Sequence, residues 1–106
     1  MQREKTMLIA DDVELNRALL ENIFEDEYSI LQAADGAEAM EILRSQPVDV
    51  VLLDIVMPRM DGFEVLKTMK EDKALSGIPV IMATSEKEKS EEHALILGAD
   101  DFINKP

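Results

Sequence analysis

The sequence predicts an α/β fold, a doubly wound parallel sheet with helices on its faces, and three observations carry that prediction. Short apolar segments recur along the chain, each bounded by turn or charge signals. Stripes of helical spacing fill most of the gaps between them. Polar residues able to do chemistry stand where the apolar segments end: Asp11 and Asp12, Asp54, Thr84 and Lys105. Strands alternating with helices imply parallel pairing through right-handed crossovers.

Taken in order, Met7 to Ala10 is the first buried strand, closed at once by two acids. Leu15, Leu19 and Ile23, four apart with Ala18 beside them, predict an apolar helical stripe. A weaker strand runs from Tyr28 to Ala33. After the turn pair Asp35-Gly36, a second stripe of Ala39, Ile42 and Leu43 stops before Pro47, whose ring cannot continue a helix. Val48 to Leu53 is the third strand, and a third stripe of Phe63, Leu66 and Met69 follows Asp61-Gly62. Pro79 to Ala83 is the fourth strand. The charge run Glu86 to Glu92 reads as a solvated loop and first helical turn, with Ser85 or Ser90 placed to cap it. That helix, around Ala94, Ile96 and Leu97, ends at Gly98, well placed as a C′ residue. Asp101 to Ile103 is the fifth strand, giving the order βαβαβαβαβ in a single domain over residues 1–106.

Composition narrows the function. With 46% hydrophobic and 32% charged residues in 106, the chain has material for one core and too much for disorder. Its 23 acids against 11 bases give a formal charge of -12, which argues against direct nucleic-acid or anionic-lipid binding and favours a cation or a basic protein surface. No cysteine is present, so thiolate metal sites and disulfides are excluded. The opening residues do not resemble a signal peptide and no window approaches a membrane span, so the expected location is the cytoplasm.

In an open parallel sheet, ligands bind outside the carboxyl ends of the strands. Three carboxylates, a hydroxyl and an ammonium converge there in this chain. Clustered carboxylates repel unless a hard divalent cation neutralises them, and Mg²⁺, which takes oxygen ligands, is the natural candidate. A carboxylate is also a nucleophile toward phosphorus, and a phosphoryl group on Asp54 would find its charge met by the cation, by Thr84 and by Lys105. Each residue alone has a plainer explanation. Asp11 through Glu14 fits a D-x-x-E capping box, Thr84 could simply leave a strand, and Lys105 could be a solvated charge. Jointly these are less economical, since chance would have to place the needed types at one end of four strands.

The chain resembles the receiver domain of two-component response regulators, from about Lys5 to Pro106. The resemblance rests on "ADD" after the first strand, "LLDIVMPRMDGFEVL" around the third, "IMATS" at the fourth and "GADDFINKP" at the end. It implies a flavodoxin-like sheet of strand order 2-1-3-4-5, an order the general description of this fold already gives. It implies that Asp54 is the phosphoacceptor, served by a sensor histidine kinase or a histidine phosphotransfer protein. Asp11, Asp12, Asp54 and the main-chain carbonyl of Val56 would hold Mg²⁺. Thr84 would be the switch hydroxyl and Lys105 the ion-pairing cation, with Ser85 small enough to admit the phosphoryl group. Val56 and Glu86 would tune water access, Phe102 would be the switch aromatic, and the Lys105-Pro106 bond would be cis.

Two departures stand out. Phe102 lacks the hydroxyl of the tyrosine often found at its position. The chain also stops at Pro106, where the family continues into a fifth helix, so one sheet face is expected to be half covered. Three explanations are open: a fragment of a longer regulator with an effector domain after Pro106, a homodimer through the uncovered face, or another protein as cover. Two other functions compete with the receiver. One is a Mg²⁺-dependent phosphatase passing through an aspartyl phosphate, which would want an acid where Val56 stands. The other is a flavodoxin-like cofactor binder, which would want Gly, Ser or Thr where Asp11-Asp12-Val13-Glu14 stands.

Overall fold

Alternation along the strands builds two layers from one sheet. On one face stand Leu8 and Ala10, Ala33, Val51 and Leu53, Val80 and Met82, all buried. On the other stand Met7 and Ile9, Leu52 and Ala83. Side chains of a strand point alternately to opposite faces, so runs that are apolar at every position can be buried only between two covers.

The computed structural model describes residues 4–84 and 97–104. Its elements are β1 (Lys5–Ala10), α1 (Glu14–Phe24), β2 (Tyr28–Ala33), α2 (Gly36–Ser45), β3 (Val50–Asp54), α3 (Gly62–Glu71), β4 (Val80–Thr84) and β5 (Asp101–Asn104). All pairings are parallel, and the strand order is β2-β1-β3-β4-β5. The expected fold and order are therefore found, with three helices among the described residues. The expected fourth helix lies outside them except for Leu97, which stands with Gly98 in a turn. Gly98 has φ +101°, a backbone conformation that favours glycine. No helix among the described residues is long and apolar enough to cross a membrane.

Strand edges shift slightly from the expectation. Val48 is buried but precedes β3, and Asp54 belongs to the strand, opposite Ala83. Pro79 has no N–H to give a ladder, and it serves instead as acceptor, its carbonyl taking Val51 N–H at 3.0 Å.

On the larger face α2 and α3 pack through Ala39, Met40 and Leu43 and through Val65, Leu66 and Met69. Burying a Leu such as Leu66 stabilises the fold by about 1.5–3 kcal/mol. On the other face only α1 is described, and it lies against β1 and β2. Here the sequence reading needs correction. Leu15, Leu19 and Ile23 are 67%, 50% and 65% exposed, whereas Leu20 is buried and Phe24 packs beside it. Two apolar stripes are available on α1, and Arg17 ties the helix in the observed orientation: its Nη1 donates to the Asp11 carbonyl at 2.8 Å and its Nε to Gln32 Oε1 at 3.0 Å. In that orientation Leu20 and Phe24 pack on the sheet. Val50 and Ile81 on the same face are only partly buried, and Ile103 is exposed.

Candidate functional site

The site begins where β1 and β3 end. Asp11 follows β1 and is held there by its N–H donating to the Ala33 carbonyl at 3.0 Å. It is 1% exposed, and Asp54, the last residue of β3, is 6% exposed; Asp12 faces solvent. Oxygens of Asp11, Asp12 and Asp54 lie within 4.8 Å of one another. Carboxylates so close, two of them in low-dielectric surroundings, suit a hard cation that takes oxygen ligands.

The capping box considered for Asp11 does not form. The N-cap of α1 is Val13, with no side-chain cap, and Asp11 Oδ1 instead accepts from Val13 N–H at 2.9 Å, a tight local turn. Asp11 is thus committed to the strand end, with its carboxylate beside Asp12 and Asp54.

The segment from Ile55 to Asp61 connects β3 to α3 and doubles back on the acid. Ile55 and Met57 are buried, while Val56 between them is 56% exposed. Gly62 N–H donates to the Ile55 carbonyl at 2.8 Å. A Cβ on Gly62 would run into the Asp54 carbonyl, and one on Gly36 into the Met60 carbonyl. Both glycines are needed because main chain approaches main chain.

Two residues that the sequence reading assigned no part in the site, Asp35, read as half of a turn pair, and Arg59, enter here. Asp35 caps α2, its Oδ1 accepting from Glu38 N–H at 2.8 Å. Its Oδ2 accepts from Arg59 Nε at 3.0 Å and Nη2 at 2.6 Å. The Glu38 N–H, and after it Arg59, hold the Asp35 carboxyl below its ordinary value against the opposing effect of burial. The signal was present: Asp35 to Glu38 and Asp61 to Glu64 are both D-x-x-E, and Asp61 likewise accepts from Glu64 N–H at 2.9 Å.

Among the sequence-designated residues, the structure brings together Asp11, Asp12 and Asp54, with Val56 two residues along. Thr84 ends β4 opposite Asn104 of β5, at the same edge of the sheet. Phe102 on β5 is partly buried against the larger core. Ser85, Glu86, Ser90 and Lys105, with the Lys105-Pro106 bond, lie outside the described residues.

Comparison with known families places this geometry. The model of the response regulator receiver domain matches residues 7–106. The chain belongs to that family. Response regulator GtcR of Aneurinibacillus migulanus is 41% identical over 107 residues, spanning 96% of this chain and 42% of its own length. Chemotaxis protein CheY of Halobacterium salinarum is 41% identical over 104 residues, spanning 96% of this chain and 85% of its own. Among solved structures, the Mn²⁺-bound form of response regulator Rcp1 superimposes with a TM-score of 0.87 at 26% identity, covering 96% of this chain and 81% of that one. The receiver domain thus spans less than half of GtcR, as a receiver joined to further sequence would. Receiver domains are phosphorylation-controlled signalling modules of two-component systems, and their acidic pocket takes a divalent cation. Asp11, Asp12 and Asp54 supply such a pocket here.

Proposed function

We propose that this receiver domain accepts a phosphoryl group on Asp54 from a phosphohistidine of a sensor kinase or histidine phosphotransfer protein, and that Mg²⁺ is its cofactor. The observation that carries the reading is the convergence of Asp11, Asp12 and Asp54 oxygens within 4.8 Å, with Asp54 fixed as the last residue of a buried strand. Asp11, Asp12, Asp54 and the main-chain carbonyl of Val56 would hold the cation, which offsets the negative charge of the approaching phosphoryl group. An Asp54 oxygen attacks phosphorus as the bond to the donor imidazole nitrogen breaks, and the nitrogen keeps the electron pair. A rigid strand limits the misplacement that such a transfer tolerates poorly.

Thr84 and Lys105 complete the reading. The first donates its hydroxyl to the new phosphoryl group and the second pairs with its charge, of roughly -1.5 to -2. Movement of Thr84 makes room for Phe102, and the altered surface on and before β5 is the output face, read by an effector domain or a partner protein. Ser85 leaves the approach open. The exposed Val56 side chain has no polar atom to place a water, so with Glu86 as the other tuning position the phosphoryl group is long-lived, and the domain is a phosphoacceptor, not a multiple-turnover phosphatase.

Incubation with Mg²⁺ and a small phosphodonor, followed by intact mass, tests this. One added phosphoryl group is expected, lost in EDTA and in Asp54→Asn. Failure to label from any donor, a phosphohistidine protein included, would sink the reading, and repeated release of phosphate from a monoester would favour the phosphatase.

A further inference from the structure

The connection from β3 to α3 is held unevenly. Its near half is anchored by the sheet and core: Ile55 N–H donates to the Ala83 carbonyl at 3.3 Å and Ile55 and Met57 are buried, while the far end is tied back by Gly62 N–H donating to the Ile55 carbonyl at 2.8 Å. Its far half, Pro58 and Arg59, is exposed. There Arg59 has φ +66°, the one positive φ among the described non-glycine residues. That conformation crowds any side chain with a Cβ, so something must hold it.

What holds it is Asp35. Arg59 Nε and Nη2 both donate to Asp35 Oδ2, at 3.0 and 2.6 Å, while Asp35 Oδ1 serves the first turn of α2 through Glu38 N–H. The Asp35 side chain is 14% exposed against 66% for Arg59, so an exposed cation meets a largely covered carboxylate. Beside it the Met60 carbonyl sits against the bare α-carbon of Gly36. An exposed ion pair adds little to global stability. Selecting one conformation of a short connection requires little.

We propose that the Asp35–Arg59 pair is a positioning device for the cation site: it clamps the far half of the connection to the start of α2 and thereby fixes how Val56 presents its carbonyl beside Asp54. This rests on the reading of Val56 as a main-chain ligand. Neither Asp35 nor Arg59 touches the cation; both act through the main chain between them and Val56. Outer partners of this kind orient ligands and so govern metal affinity.

The test is a ¹⁵N–¹H NMR titration with MgCl₂, following the amides of residues 55–62 in wild type, Arg59→Gln, Asp35→Ser and the double variant. Asp35→Ser keeps a hydroxyl that can accept from Glu38 N–H while removing the charge. Each single variant is expected to bind Mg²⁺ about 3- to 10-fold more weakly, at the lower end for an outer partner because the pair is exposed. The double variant should be no weaker than the weaker single, Arg59→Lys should recover most of the loss, and the urea midpoint of Arg59→Gln in EDTA should stay near wild type. Single variants that bind Mg²⁺ as wild type does, or losses that multiply in the double variant, would overturn the proposal while leaving the cation site standing. No Mg²⁺-dependent shift in wild type would overturn the site reading, and this proposal with it.

Discussion

Replacing Asp54 by Asn removes one of three carboxylates whose oxygens lie within 4.8 Å of one another. Two unit charges at that separation repel by about 3.5 kcal/mol at an effective dielectric constant of 20. Solvent around exposed Asp12 weakens its share. A net gain of about 1–3 kcal/mol is therefore expected for Asp54→Asn in the absence of metal. Urea unfolding followed by circular dichroism measures it, because the chain has no Trp to report by fluorescence. Added Mg²⁺ should reverse the ranking's cause: at ten times its dissociation constant it stabilises wild type by about 1.4 kcal/mol and the variant by much less. If Asp54→Asn in EDTA is less stable than wild type, or if Mg²⁺ stabilises both equally, the three carboxylates do not form a strained, cation-seeking cluster.

Other consequences are as direct. Asp35→Ala should cost about 1 kcal/mol in urea unfolding, because it removes the N-cap of α2 together with the Arg59 pair. Since the Asp35 carboxyl is lowered in the folded state, its contribution is present above the unfolded value near 3.8 and is lost as pH falls through the folded value; the gap between wild type and Asp35→Ala should close in acid. Gly62→Ala should cost about 1–3 kcal/mol or more and disturb Mg²⁺ binding, as its Cβ would displace the main chain of Asp54 itself. On α1, Leu20→Ala should cost about 2–5 kcal/mol while Leu19→Ala stays within about 0.5 kcal/mol of wild type; equal costs would contradict the helix orientation described above.

The sheet was legible because a strand buried on both faces must be apolar at every position, and Met7 to Ala10 and Val50 to Leu53 leave little else to be. The orientation of α1 was not. Leu19 and Leu20 are adjacent, both apolar, and only tertiary contacts, the packing of Leu20 and Phe24 on the sheet and the bonds from Arg17 to Asp11 and Gln32, distinguish them. The pattern D-x-x-E occurs three times among the described helices, at Asp11, Asp35 and Asp61. The latter two cap helices, whereas Asp11 sits one residue past a central strand and is drawn to the rim with Asp12 and Asp54. Local sequence cannot make that distinction, since it depends on which acids meet across strands. Arg59 carried no signal of its own, because a left-handed arginine is read only from the backbone.

Selection of Asp54 from three neighbouring carboxylates is the central claim, and reductive trapping of the aspartyl phosphate followed by peptide mass mapping tests it most directly. Labelling with a small phosphodonor in Mg²⁺ should place the modification at position 54 alone and should vanish in EDTA. Modification at Asp11 or Asp12, or labelling indifferent to divalent cation, would contradict the account.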